Sequence, residues 1–206
     1  MPEVNWEKRW KTKETQWDLG GVTPVLTKEV DGYVKRGREV GDALVPGCGA
    51  AYDVAFLAER SRTVTAIDLA PSAVKLAREM CRTRKNANIV LGNFFEHDFG
   101  KKFDFVFDYT FFCAIQPELR PAWGSKVSSL LSPGGRLLTL VFPIDEDNAF
   151  NPDANGPPFP VSVAAYEKVL SPHGLVRVST ERSEASVSPR RDRELVVWWE
   201  KQKQNL

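Results

Sequence analysis

Two glycines one residue apart, Gly47 and Gly49, follow the apolar run Ala43-Leu44-Val45, and Asp68 stands 21 positions after the first of them. Glycines at that spacing let the main chain turn sharply and let a ligand approach it without a Cβ in the way. A carboxylate about 20 residues on, closing the β-branched run Thr63–Ile67, is where a ribose diol is held by two hydrogen bonds. A dinucleotide fingerprint asks for a third glycine, and the chain has Tyr52 there. A pyrophosphate therefore loses its close approach to the following helix. The pattern suits a cofactor with a ribose and no pyrophosphate, S-adenosylmethionine better than NAD.

Aromatic residues form a second group. Trp6 and Trp10 are four apart behind Asn5, which can cap a short helix, and Trp17 follows. Three tryptophans among so many charges either plug one side of the core or form a lid whose ring faces meet a ligand. A cationic sulfonium gains ~0.5–2 kcal/mol at such a face. Asn93-Phe94 follows the short apolar run Asn88–Leu91, where an amide and a ring can read and stack on an adenine; Phe94 and Phe95 can equally be core. Asp108 and Tyr109 end the alternating run that starts at Phe103, again on the edge where α/β proteins bind ligands. Cys48 and Cys113 have no basic neighbour pattern and read as packing residues.

These residues need elements to hold them. At 206 residues the chain is long enough for one domain with a full core. It is subdivided as an aromatic lid and helix over 1–36 and a core over 37–206. Thr23-Pro24 starts a helix running to about Arg36. Strands then alternate with helices: Ala43–Val45, a helix from Val54, Thr63–Asp68, an amphipathic helix over Ala70–Met80, Asn88–Leu91 and Phe103–Tyr109. A helix over Pro117–Leu131, closed by Ser132-Pro-Gly-Gly135, precedes a buried strand over Arg136–Phe142. After a Pro- and Asn-rich loop over 143–160, a helix over Val161–Leu170 leads to two strands, Leu175–Thr180 and Glu194–Trp199. The expected class is α/β: a doubly wound Rossmann-like sheet of about seven strands with an antiparallel edge hairpin and helices on both faces.

Composition narrows the partners. Twenty-eight basic and 27 acidic residues nearly cancel, which leaves no electrostatic footprint for nucleic acid or an anionic membrane. The Arg190–Arg193 run reads as a solvated loop. Three cysteines without framework spacing suit a reducing compartment. His97 and His173 lie outside any ligand spacing, so no metal is expected. With no leader and no apolar run of 18 residues, the expectation is a cytoplasmic protein. A monomer is expected.

Trp6-x-x-x-Trp10 with Trp17-Asp18-x-Gly20, Ala43–Gly49, Phe107–Ile115, Gly156–Val161 and Val197-Trp198 together resemble the thiol, thiocyanate and halide methyltransferase group of the thiopurine methyltransferase superfamily. The resemblance spans nearly the whole chain. It implies S-adenosylmethionine-dependent methyl transfer to a small thiol, including hydrosulfide, or to thiocyanate or a halide. It implies cofactor contacts from Trp6, Trp10, Trp17, Gly47, Asp68, Asn93, Phe94 and Tyr109, with Gly49, Leu69 and Asp108 beside them. Trp6, Phe112 and Phe159 are expected on the acceptor side, and Tyr109 is a candidate acceptor of the thiol proton. Two departures stand out. Asn93 replaces the group's Asp, and Phe159 replaces its Tyr, which removes a hydroxyl from the acceptor side and favours a more apolar thiol. The reaction is an in-line displacement in which alignment alone can supply ~7–11 kcal/mol. Rival readings are a nicotinamide oxidoreductase, a methyltransferase for a larger thiol, and a non-catalytic relative that binds the cofactor.

Overall fold

The computed structural model describes residues 4–151 and 153–203. The first three residues of the expected lid, where a leader would begin, lie outside that range, as does Pro152 of the 143–160 loop. The chain divides into two compact units, residues 1–98 and 99–206, so residues 1–36 belong to the first.

In the first unit, β1 (Asp42–Pro46), β2 (Thr63–Asp68) and β3 (Ala87–Leu91) are parallel in the order β3-β2-β1. Leu44 pairs with Thr65 and Ala66 with Ile89, which brings Pro46, Asp68 and Leu91 to one edge. Helices α3 (Tyr52–Ala58) and α4 (Pro71–Met80) connect the strands. The expected amphipathic face of α4 is there: Ala73, Val74 and Ala77 are buried with Cys81, while Met80 faces outward. Preceding them, α1 (Trp6–Lys11) is capped by Asn5, whose side-chain oxygen accepts from the Lys8 N–H at 2.9 Å. Next, α2 (Pro24–Lys35) begins as Thr23-Pro24 predicts. Thr23 is tied down from outside its own helix, its N–H and hydroxyl donating to Asp53 at 2.7 and 2.9 Å.

In the second unit, β4 (Phe103–Tyr109) runs parallel to β5 (Leu131–Val141), and β7 (Leu195–Lys201) lies antiparallel between β5 and β6 (Leu175–Glu181). This is the antiparallel hairpin that the sequence predicts. Several boundaries differ. Leu131 already pairs with Phe103, and Arg136 with Phe105, so Ser132-Pro-Gly-Gly135 is a bulge inside the strand and not a loop before it. A one-turn 3₁₀ helix at Pro117–Leu119 shortens the preceding helix, α5, to Arg120–Leu130. The expected helix from Val161 starts at Val163, because Ser162 caps it by accepting from the Ala165 N–H; this is α6 (Val163–Leu170).

Helices α5 and α6 approach closely at a glycine. A Cβ on Gly124 would lie 2.2 Å from the Val169 carbonyl oxygen, well inside contact. Gly124→Ala is therefore expected to destabilise the protein by at least about 2 kcal/mol, more than its helix-propensity gain of about 1 kcal/mol. That is roughly 4–8 °C in a thermal melt; an unchanged melting temperature would show that the helices separate freely.

Candidate functional site

Each unit presents its strand ends separately. In the first, β1 breaks at Pro46 into a turn with Gly47 at φ 60° and Gly49 at φ 53°, the left-handed region that favours glycine. Ala51 follows at φ 67° before α3 begins. The Asp68 carboxylate sits under this turn. One oxygen accepts from the Gly49 N–H and the other from the Ala70 N–H, both at 2.9 Å. Burial raises its pKa above the ordinary carboxylate range, against these N–H donors, which pull it back. Asp68 thus orders the glycine turn and the start of α4 while keeping acceptor capacity for a further donor.

The tryptophans gather over the turn. A Cβ on Gly49 would fall 3.2 Å from a Trp10 ring carbon. Trp17 packs edge-on against both Trp6 and Trp10, with centroids at 5.3 and 6.0 Å. All three rings are half-buried, so each keeps a partly open face. The Arg9 guanidinium lies 5.5 Å from the Trp6 ring and 5.9 Å from that of Trp17. The sequence alternatives were core plug or lid; Trp10 lies against the glycine turn, and Trp6 and Trp17 join it through ring contacts.

A contact not expected from the sequence docks this aromatic helix. Glu7 accepts from the Ser72 N–H and from its hydroxyl, both at 2.8 Å, and so caps α4, whose own N-cap Ala70 has no side-chain oxygen. The Ser72 N–H is the main reason the Glu7 pKa lies below its usual range. A depressed carboxylate stabilises above its unfolded pKa and loses that contribution as pH falls through its folded one. Acidification, or Glu7→Ala at neutral pH, should release α1 before the sheet. The expected result is faster hydrogen exchange over Trp6–Lys11 with β1 and β2 still protected; simultaneous exchange would contradict it.

Of the other expected first-unit contacts, Leu69 is 50% exposed directly after Asp68, an apolar side chain open at the strand edge. Asn93 begins a turn: its side-chain oxygen accepts from the Phe95 N–H at 3.0 Å and its amide donates to Glu96 at 3.1 Å. Its acceptor is therefore already partly used. The Phe94 ring is 3% exposed and packs edge-on against Phe95, as core. It offers no open face for stacking. Burial holds the Cys48 thiol well above its ordinary pKa, with Asp68 adding, which fits a packing role.

Three of the expected site residues in the second unit pack inward. Asp108, Phe112 and Phe159 are fully buried. Asp108 accepts from the Phe112 N–H at 3.2 Å and from the Trp123 indole N–H at 3.1 Å, so this carboxylate works as the hub of a polar core. Burial raises its pKa to about 7, although these donors oppose the shift. Phe112 stacks on Tyr166 at 3.9 Å and meets Trp123 edge-on at 4.6 Å. Phe159 is held by its N–H donating to the Cys113 carbonyl at 2.7 Å. The hydroxyl that Phe159 lacks is therefore missing from a buried position. Burial pushes the Cys113 thiol up to about 12, so it stays protonated.

Tyr109 remains half-buried at the end of β4. Its hydroxyl donates to Glu194 at 2.6 Å, and the Arg190 guanidinium lies 4.7 Å from its ring. Burial, opposed by Arg190 and aided by Glu194, pushes the phenol pKa well up. Tyr109 does not act as a free phenolate base. The Arg190–Arg193 run is not simply a solvated loop either: Arg191 to Arg193 are exposed, but Arg190 is 5% exposed and also covers Phe142. Arg120, unmarked in the sequence, is buried and donates to the Ala149 and Pro160 carbonyls at 3.0 and 2.9 Å, pinning the 143–160 loop.

With this geometry in place, comparison with known proteins is informative. The family described as Thiopurine S-methyltransferase (TPMT) matches residues 1–206. The chain is 43% identical to "Probable thiol methyltransferase 2" of Arabidopsis thaliana over 200 residues, covering 95% of this chain and 84% of that one. It is 39% identical to "Thiocyanate methyltransferase 1" of Brassica oleracea over 204 residues, covering 98% and 86%. The N-methyltransferase NodS of Bradyrhizobium japonicum WM9, solved in complex with S-adenosyl-l-homocysteine, shares the fold with a TM-score of 0.69 at 14% identity, over 97% of this chain and 100% of that one.

Proposed function

Because the chain belongs to the thiopurine S-methyltransferase family, matched over its whole length, we propose that it is an S-adenosylmethionine-dependent methyltransferase whose acceptor is the sulfur of a small thiol or of thiocyanate. The observation that carries this reading is the left-handed Gly47–Gly49 turn, ordered by Asp68 and covered by the Trp6–Trp10–Trp17 cluster.

These residues suit the cofactor chemically. Asp68 has the acceptor oxygens that a ribose diol needs, and Leu69 beside it is an apolar surface for the adenine. Indole faces attract a sulfonium by cation–π interaction. Asn93 contributes through its amide, and for Tyr109 the family resemblance supports an acceptor-side role. When bound, S-adenosylmethionine supplies an electrophilic methyl group whose leaving sulfur needs no proton. The protein's part is to hold the acceptor in line and strip its water, the source of most of the rate in such a displacement. Halides need no deprotonation and fall within the same chemistry.

The protein acts on small molecules, and we place it in the cytosol as a monomer. Three free cysteines support a reducing compartment, and no helix among the described residues is long and apolar enough to cross a membrane. Titration calorimetry with S-adenosylhomocysteine and with NADH tests the cofactor. Micromolar S-adenosylhomocysteine binding with no NADH heat is expected; the reverse would restore the oxidoreductase reading.

A further inference from the structure

Glu194 is the group that neither the sequence pattern nor the family resemblance singles out. It is a carboxylate only 2% exposed, directly before β7. One oxygen accepts from the Tyr109 hydroxyl at 2.6 Å and the other from the Ser186 hydroxyl. Glu194 and Ser186 also line a cavity of about 580 Å³, bordered by Arg182, Glu184, Arg191 and Asp192. Those four side chains are exposed, so the cavity opens to water. A chain of polar atoms therefore runs from the end of β4, through a phenol, to a buried carboxylate beside an open cavity.

The backbone at the entrance is unusual. Thr110, next to Tyr109, is β-branched yet sits at φ 65°. Such outliers cluster where a fold holds a side chain for function. Arg190 lies over the Tyr109 ring and keeps a positive charge beside the phenol.

We propose that Tyr109 and Glu194 form a proton relay that takes the proton from a neutral thiol acceptor and delivers it to water in the cavity. This rests on the methyltransferase reading above. The thiol S–H proton passes to the Tyr109 oxygen as the Tyr109 proton passes to Glu194. The sulfur lone pair forms the new S–C bond, and the old methyl–sulfonium bond breaks with its electron pair leaving on the sulfur of S-adenosylhomocysteine. Glu194 then gives its proton to water, so one proton is released per methyl transferred. Tyr109 never ionises, which agrees with a phenol whose pKa burial has pushed up. The relay gives neutral thiols access to the reaction below their own pKa. Thiocyanate and iodide, which carry no proton, do not use it.

The test compares an alkyl thiol with thiocyanate in wild type and Glu194→Gln. At pH 6.5 a thiol of pKa about 8.5 is roughly 1% thiolate. Without the relay only that fraction reacts, so the ratio of thiol to thiocyanate kcat/KM is expected to fall about 10²-fold. The deficit should shrink to about fourfold at pH 8. Arg190 and the cavity charges Arg182, Glu184, Arg191 and Asp192 are present in both forms and cancel in the ratio. Equal loss on both acceptors, with S-adenosylhomocysteine affinity retained, would make Glu194 structural and overturn the relay.

Two further measurements guard against a variant that does not fold. Tyr109→Phe should show the same ratio. Wild type alone should keep a flat thiol kcat/KM between pH 6 and 8, whereas a tenfold fall per pH unit would overturn the proposal. A readout without turnover is proton balance on thiol binding to the S-adenosylhomocysteine complex, by calorimetry in two buffers at pH 6.5. Retention of the proton supports the relay; release of one proton overturns it. If wild type binds S-adenosylhomocysteine but methylates thiocyanate and no thiol, the thiol reading itself fails.

Discussion

Asp68→Ala is expected to weaken S-adenosylhomocysteine binding by about 10²–10⁴-fold. The residue acts twice. Its oxygens hold the Gly49 and Ala70 N–H groups, so its loss frees the glycine turn to which the proposed function assigns the cofactor. On the proposed reading it also accepts from the ribose diol, and each hydrogen bond to a charged acceptor is worth about 1.5–3 kcal/mol. Two such losses give the stated range at 1.4 kcal/mol per tenfold. Asp68→Asn should be nearly as weak, because its NH₂ must face either the Gly49 or the Ala70 N–H, each of which needs an acceptor. Calorimetry on both variants checks this; a loss under tenfold would mean the ribose is held elsewhere.

The second large effect is on stability, at Asp108. Asp108→Ala leaves the Trp123 indole N–H and the Phe112 N–H buried without their acceptor, at roughly 1–3 kcal/mol each. Wild type carries a pH signature of the same group. Its folded pKa is raised to about 7, well above that of a free carboxylate, so between the two the folded state holds a proton that the unfolded state has released. The stabilisation from that proton is complete below the unfolded pKa and is lost as pH rises through the folded one, a total of roughly 3–5 kcal/mol. Chemical denaturation between pH 4 and 8 should show this fall in wild type and not in Asp108→Asn. Parallel curves for the two proteins would contradict it.

How much of this was legible in the sequence depends on distance along the chain. Asn5 with Trp6–Trp10, Gly47–Gly49 and the run to Asp68 are local patterns, in which spacing alone determines where the side chains go. The strand alternation and the terminal hairpin were legible for the same reason. The burial of Asp108 was not legible, because a residue at a strand's end can face the edge or turn into the core. Only the arrival of Trp123 and Tyr166 from α5 and α6 decides that. Glu7 on Ser72 and Glu194 on Tyr109 join residues 65 and 85 positions apart, and no periodicity announces such a pair. The one available signal at Arg190–Glu194 was charge, and charge in a polar stretch reads as solvated surface.

The measurement that tests the central claim most directly is transfer of a trideuterated methyl group. The purified protein is given methyl-labelled S-adenosylmethionine with hydrosulfide, an alkyl thiol, thiophenol, thiocyanate or iodide in parallel, and the products are weighed by mass spectrometry. The account predicts the labelled methyl on sulfur of at least one thiol or of thiocyanate, with one equivalent of S-adenosylhomocysteine formed. Tight binding of S-adenosylhomocysteine with no labelled product from any of the five would contradict it and leave the non-catalytic relative or the larger thiol standing.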